Sequence, residues 1–352
     1  MSKDTAIEWS GEGSTIPEAE KIVLAALQAD VPVMLWGPPG VGKTDVLKQV
    51  SRKIYGKEPI ILPMSLLAPT DLSLPYPNIQ THKLEVFFSD LLPTDTKGEG
   101  LIVLDDLNTA SSIIQAQAYF LLLERKLGTY VIPKGYRIAA TGNRIEDRGV
   151  YNRMPVPLIS RMINVTVRPD LEAFISYCYK NNINPYIIGF LRAFNQYLLQ
   201  DPKTVVEGEG MACPRSYVML SKILEYTDSL NAIIAVIGRS AGGAFKTFLN
   251  LTSQVPNPED ILEGRNPPFD SNKADVTYAL VGSIAKALKS KYTKQRFENF
   301  FKYATSHFDI AFQAFAIKDV WKSVGINKIR IDEIHGFSEW AVKNGEILLA
   351  DE

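Results

Sequence analysis

Eight consecutive residues constrain this chain more than any others: Gly37-Pro38-Pro39-Gly40-Val41-Gly42-Lys43-Thr44. They fit the pattern GxxxxGK[ST] in the context that the pattern requires. An apolar run at 31–36 precedes them, and a stretch of helical character at 45–54 follows. The glycines let the backbone wrap closely around an anion with its N–H groups pointing inward. The helix N-terminus behind them adds partial positive charge. A strand, such a loop and a helix predict the phosphates of a nucleotide as ligand. Lys43 is expected to reach the β- and γ-phosphates, and Thr44 to offer its hydroxyl to Mg²⁺. A chance match of the loop would lack the flanking strand and helix.

The rest of the first half repeats that alternation. A helix is expected to start near Ser14 or Thr15, with Pro17 in its first turn and Ile22, Val23, Ala26 and Leu27 on one face. Short apolar runs at 59–62, 101–104, 138–141 and 163–167 read as further strands. Short buried strands separated by helices predict an α/β fold, with a parallel five-stranded sheet and helices on both faces. The alternation breaks at 63–93, a proline-rich segment expected to be an inserted loop or hairpin. A second hairpin is expected at 128–136, turning at Pro133-Lys134-Gly135.

After Asp170 the strands stop, and 171–181, 187–199, 215–228 and 230–237 carry helical periodicity. The expected organisation is a polar leader at 1–13, an α/β domain at 14–169, an all-α lid at 170–254, a linker at 255–273 and a C-terminal helical segment at 274–352. With 38 basic and 39 acidic residues, no global field draws the chain to nucleic acid or an anionic membrane. No apolar run is long enough to span a bilayer, and the N-terminus carries no apolar signal core. Cys178 and Cys213 stand far apart, which fits a reducing, cytoplasmic setting. His82, His307 and His335 are too scattered for a zinc cluster.

The strand at 101–104 ends in Asp105-Asp106. In a doubly wound sheet such an end lies where ligands collect. Asp105 is expected to hold Mg²⁺ and Asp106 to polarise the attacking water. A pair of acids can also simply cap the next helix. Asn143, after the run 138–141, can orient that water, although asparagine is also a common turn former. Arg161 precedes the fifth strand, where it can point at a neighbour's γ-phosphate. Arg215 opens a helix after Pro214 and can reach onto phosphates.

Taken in order, GPPGVGKT, APTDLSLPYP, LIVLDDLNTA, ERKLGTYVIP, AATGN, PLISRM and PRS resemble the AAA+ ATPases. Within that family the chain is most similar to the MoxR-like branch, among the dynein-related AAA ATPases. The resemblance makes Gly37–Thr44 the Walker A loop, Asp105-Asp106 Walker B, Asn143 sensor 1, Arg161 the arginine finger and Arg215 sensor 2. Arg144, Arg148 and Arg153 become alternatives for the finger. It places 63–93 where the branch carries its helix-2 insert and 128–136 where it carries the pre-sensor-1 insertion. It implies ATP and Mg²⁺ as cofactors and a ring, commonly a hexamer, with sites shared between neighbours. It also implies a chaperone-like role, often with a partner carrying a von Willebrand A-type domain. The branch usually has glutamate where this chain has Asp106, a departure that bears on the rate of hydrolysis rather than on binding.

Two other functions compete with a protein remodeler. A slow nucleotide switch follows if Asp106 is a poor base. A nucleic-acid motor or loader would use Lys286, Lys289, Lys291, Lys294, Arg296 and Lys302, interleaved with Tyr292, Phe297, Phe300 and Phe301. The neutral overall charge favours the plainer reading of that stretch, an amphipathic helix with its aromatics in the core.

Overall fold

The computed structural model describes residues 13–147, 152–251, 253–270, 273–325 and 328–349. Most of the expected leader, and Arg148, lie outside the described residues. The chain divides into two compact units, Met1–Asp170 with Asp201–Thr204, and Leu171–Gln200 with Val205–Glu352.

The first unit opens with α1 (Ile16–Gln28). Thr15 caps it by accepting from the Glu18 N–H, Glu18 returns a bond to the Thr15 N–H, and Pro17 sits in the first turn. Then follow β1 (Val33–Trp36), α2 (Lys43–Tyr55), β2 (Ile60–Pro63), α3 (Pro69–Leu72), the hairpin β3 (Ser73–Asn78) and β4 (Lys83–Phe88), and β5 (Glu99–Asp105). After them come α4 (Ser112–Leu123), the short pair β6 (Lys126–Leu127) and β7 (Tyr130–Val131), β8 (Gly135–Gly142), α5 (Val156–Ile159) and β9 (Ile163–Thr166). Five strands form one sheet in the order β2-β5-β8-β1-β9, with every pairing parallel.

Side chains alternate across the pleat, so the central strands need apolar residues on both faces. Met34, Ile102, Leu104, Ile138 and Ala140 join the core under α4. Val33, Leu35, Leu101, Val103, Ala139 and Val165 join the opposite core with α1 and α2. That two-sided burial is why these strands read as continuous apolar runs in the sequence.

The segment 63–93 contains the β3–β4 hairpin, paired from Ser73↔Phe88 to Asn78↔Lys83. The second hairpin corrects its expected position. Its strands pair Lys126↔Val131 and Leu127↔Tyr130, so it turns at Gly128-Thr129 and not at Pro133-Lys134-Gly135. Gly128 takes the left-handed backbone the turn needs, at φ +59°. Gly135 already belongs to β8. There a Cβ would stand 2.3 Å from the Gly98 carbonyl oxygen, so glycine serves a close strand approach.

The second unit contains α6 (Leu171–Lys180), α7 (Pro185–Ala193), α8 (Pro214–Ile223), α9 (Leu230–Ile237) and α10 (Arg239–Leu251). These are followed by α11 (Pro258–Leu262), α12 (Ala274–Ser290), α13 (Lys294–His307), α14 (Ile310–Val324) and α15 (Phe337–Leu349). It has no strand among its described residues. The helix expected at 187–199 stops at Ala193, and the one expected at 215–228 stops at Ile223. The linker expected at 255–273 is in part a packed element. Asn257 caps α11, and Ile261 and Leu262 are buried with Phe297 and Phe300. Glu259 accepts two bonds from Arg296, each of 2.8 Å.

Candidate nucleotide site

The carboxyl ends of β1, β5 and β8 bring the expected site residues together. The loop leaves β1 at Gly37, at φ +153°, where a Cβ would lie 2.6 Å from the Val167 carbonyl oxygen. Gly40 and Gly42 also have positive φ, and Gly42 is the residue before α2. Pro38, Pro39 and Val41 complete the loop. Lys43, the first residue of α2, is 7% exposed. Its Nζ donates to the Gly37 carbonyl at 2.8 Å, the Pro38 carbonyl at 3.0 Å and Asn143 Oδ1 at 2.9 Å. Burying an ammonium is costly unless it is fully hydrogen-bonded, and here strong acceptors surround it.

Thr44 Oγ1 donates to Asp105 Oδ1 at 2.9 Å. A hydroxyl and a carboxylate side by side at a helix N-terminus are hard oxygen donors, the set that suits Mg²⁺ when phosphates and water supply the remaining ligands. Among the described residues no group of three or more His, Cys, Asp or Glu gathers as an all-protein metal cage. The donor set therefore fits a divalent ion that arrives with its nucleotide.

Asp106 leaves β5 in the left-handed conformation, φ 51° and ψ 42°. Its N–H donates to Thr141 Oγ1 at 2.9 Å, and its Oδ1 accepts from Asn143 Nδ2 at 3.3 Å. One amide side chain thus joins the lysine of the phosphate loop to the second acid.

Two residues outside the expected set complete the cluster. Thr141, fully buried on β8, donates to Asp105 Oδ1 at 2.6 Å while accepting from the Asp106 N–H. Asn108, also fully buried, donates to the Asn143 carbonyl at 2.6 Å and accepts from the Asn143 N–H at 3.0 Å. Their signal was polarity where an apolar strand or its flank predicts none. Their partners are 35 or 36 positions away in the chain, so the purpose emerges only once β5 and β8 are neighbours.

Arg161, Arg144 and Arg153, the expected arginines described in the first unit, do not join this cluster. Arg161 is exposed just ahead of β9, whose first residue is level with Val33 at the amino end of β1. Its Nη1 donates to the Tyr119 hydroxyl, and its guanidinium stands 5.6 Å from that ring's centroid. Arg144 is paired within its own chain, to Asp147 at 3.0 Å and Glu146 at 3.3 Å. Arg153 is exposed. Arg215 lies in the second unit, exposed in the first turn of α8. A cation there opposes the helix dipole, at a cost of about 0.3–1 kcal/mol.

Residues 32–162 match the family model described as AAA domain (dynein-related subfamily). This segment is an AAA ATPase domain. The match spans all of the clustered residues from Lys43 to Asn143, and with it ATP is the nucleotide bound. No curated protein matches the chain. Among solved structures, NtrX from Brucella abortus in complex with ADP is 13% identical, covering 94% of this chain and 68% of that one, with a TM-score of 0.40. The RuvB Holliday junction branch migration motor of Thermotoga maritima is 14% identical, covering 78% of this chain and 80% of that one, with a TM-score of 0.36. Neither likeness bears on what this chain acts on.

Three of the four aromatics of the basic stretch near α13 are core residues, and Tyr292 is partly buried against the same core. Phe297 and Phe300 are fully buried and Phe301 is 6% exposed, while Arg296 is tied to Glu259. Stacking on nucleic-acid bases would need those rings at the surface. No described helix is long and apolar enough to cross a membrane.

Proposed function

We propose that the AAA domain hydrolyses Mg-ATP at a site completed by a second copy of the chain, in a ring that remodels or matures a protein partner. The observation that carries the first part is the convergence on Asn143, within hydrogen-bond reach of both Lys43 and Asp106. In this reading Lys43 moves from the loop carbonyls to the β- and γ-phosphates. Asn143 orients the attacking water, and Asp106 accepts its proton. Thr44 and Asp105 hold Mg²⁺, which when bound neutralises charge on the phosphates. Arg161 acts on the γ-phosphate of the neighbouring copy. Residues 170–254 act as a lid in which Arg215 meets an anion, an arrangement supported by its otherwise unfavourable place at a helix N-terminus.

The remodeler role, a hexameric ring and a partner with a von Willebrand A-type domain are supported by the order of motifs and by the two hairpins. The nucleic-acid alternative loses its main support with the burial of Phe297, Phe300 and Phe301.

Mixing tests the shared site. Lys43→Ala removes the loop's charged side chain, and Arg161→Ala removes the finger. Each variant alone is expected to be inactive. Arginine fingers contribute about 10³–10⁵ in rate, so Arg161→Ala should bind ATP and barely hydrolyse it. Mixed at concentrations where the parent assembles, the two should recover turnover, because some interfaces then pair an intact loop with an intact arginine. Turnover that stays at the sum of the separate variants at every ratio would rule out a site shared in this way.

A further inference from the structure

At the amino end of the sheet, away from Lys43, a recess is lined by Asp30, Arg125, Arg137 and Arg161, with apolar Leu122 and Ile138. Three arginines and one aspartate therefore line it. Asp30 contacts Arg125 at 3.4 Å and Arg137 at 3.1 Å, with its side chain 50% exposed. Arg161 has no carboxylate partner among the described residues. Its hydrogen bond goes to the neutral Tyr119 hydroxyl. Like charges gathered in a recess repel one another, and a further anion relieves that repulsion.

The recess is held by local structure rather than by loose surface chains. Asp30 and Arg125 both have left-handed backbones, φ 56° and φ 52°, which side chains other than glycine rarely adopt. Such outliers persist where the surroundings over-determine them, and they cluster at functional sites. Arg125 is fixed at both ends. Its carbonyl accepts from the Ile132 N–H at 2.8 Å, and its Nη2 donates to the Tyr136 carbonyl at 2.7 Å.

We infer that this recess receives the terminal phosphate oxygens of the nucleotide bound by a neighbouring copy, and that Arg125 acts on them beside Arg161. The inference rests on the shared-site reading above and adds a second cation to it. A terminal phosphate brings about two negative charges, which matches the excess of guanidinium over carboxylate. Its oxygens also suit the planar fork of arginine. Asp30 is the internal carboxylate that the phosphate competes with.

The test is a second mixing series, run beside the Arg161 pair. Arg125→Ala is expected to lower turnover roughly 10–100-fold, the loss of one hydrogen bond to a charged group, with assembly by sedimentation and KM for ATP unchanged. Mixed with Lys43→Ala it should regain turnover. A purely structural arginine would not be complemented from the neighbouring subunit. If the Arg161 pair recovers and the Arg125 pair does not, the inference is wrong and the shared site stands. If neither pair recovers, the shared site fails and the inference fails with it. Labelling of the unaltered protein with phenylglyoxal, read by mass spectrometry, covers the case in which Arg125→Ala does not fold. Saturation with the β,γ-imido analogue of ATP should protect Arg125 together with Arg161, and should protect neither in the Lys43→Ala protein. Labelling of Arg125 that the analogue does not change overturns the proposal.

Discussion

Replacing one buried hydroxyl, in Thr141→Val, asks whether the two acids of β5 are held as a unit by β8. Valine keeps nearly the same shape and removes both of the hydroxyl's bonds. The first is the 2.6 Å donation to Asp105 Oδ1, a bond to a carboxylate worth about 1.5–3 kcal/mol. The second is acceptance from the Asp106 N–H at 2.9 Å, and stranding that donor costs about 1–3 kcal/mol. Both bonds share one oxygen, so the terms are not additive. A loss of roughly 2–4 kcal/mol in the stability of the first unit is expected.

The effect on turnover follows from the backbone of Asp106. Its left-handed conformation costs about 1–2 kcal/mol relative to the right-handed one. It is held by the Thr141 bond and by donation from the Thr109 N–H at 3.0 Å and Thr109 Oγ1 at 2.7 Å to the Asp106 carbonyl. Without Thr141 the residue relaxes, and its carboxylate leaves Asn143. Turnover should fall about 10–100-fold, equivalent to roughly 1.4–2.8 kcal/mol in the barrier. ATP affinity should remain, because Lys43 and the loop are untouched. The Mg²⁺ concentration for half-maximal rate should rise, since Asp105 loses the shorter of its two hydroxyl donors and keeps only Thr44. The assay is ATP turnover against Mg²⁺, with urea unfolding of each variant alongside. Thr141→Ser keeps the hydroxyl and should recover most of the rate. If Thr141→Val hydrolyses ATP at the parent rate with the parent Mg²⁺ dependence, Thr141 only fills the core and the reasoning fails.

Asn108→Ala should lower turnover without lowering ATP affinity, because it strands the N–H and carbonyl of Asn143 and frees the side chain proposed to orient the water. Steady-state kinetics with a binding titration checks this, and a matched fall in affinity would place Asn108 in the binding step instead. Asp319 gives a pH signature in the second unit. Full burial raises its carboxyl from 3.8 to about 6, against the opposing effects of the Tyr179 hydroxyl and Arg192. The folded state therefore keeps a proton that the unfolded state releases between about pH 4 and 6. That stabilisation is complete below pH 4 and is lost as pH rises through 6, at about 2–3 kcal/mol in all. Asp319→Asn, neutral throughout, should gain about 2 kcal/mol of stability relative to the parent between pH 4.5 and 7.5. Denaturant melts of both proteins at both pH values that differ by a constant would refute the assignment.

What the sequence revealed, and what it hid, follows from how far apart the interacting residues lie. The phosphate loop, the apolar strands and the acidic strand end are local, each bounded by its own punctuation, and they were legible. The same punctuation misled at two places. Pro133-Lys134-Gly135 reads as a turn, yet Gly135 is required by the approach of the chain at Gly98, and Gly128 makes the turn. Asn257-Pro258 reads as a breaker inside a linker, yet it is a cap and first turn for α11. Thr141 and Asn108 were not legible as site residues, because their partners depend on which strands become neighbours. Composition and periodicity predict a parallel sheet without ordering it.

That order also bears on the proposed sharing of the site between two copies. Along β1, Val33 is level with Ile163, and Trp36 is level with Gly142 and Thr166. The phosphate loop departs beyond Trp36, whereas Arg161 precedes Ile163. Three residues of strand, about 10 Å, therefore separate the two levels before either the loop or the arginine is counted. In a parallel sheet every strand end of one kind lies on one side, so the loop, both acids and Asn143 gather at one end and the arginine-lined recess stays at the other. A site shared as proposed requires a second copy placed head to tail and not face to face. Head-to-tail contacts use two different patches on each subunit, and they end either in a closed ring or in an open filament. A finite particle whose size is independent of concentration, once assembled with ATP, is the expectation for the ring. Growth of the particles with concentration would favour the filament, while leaving the shared site intact.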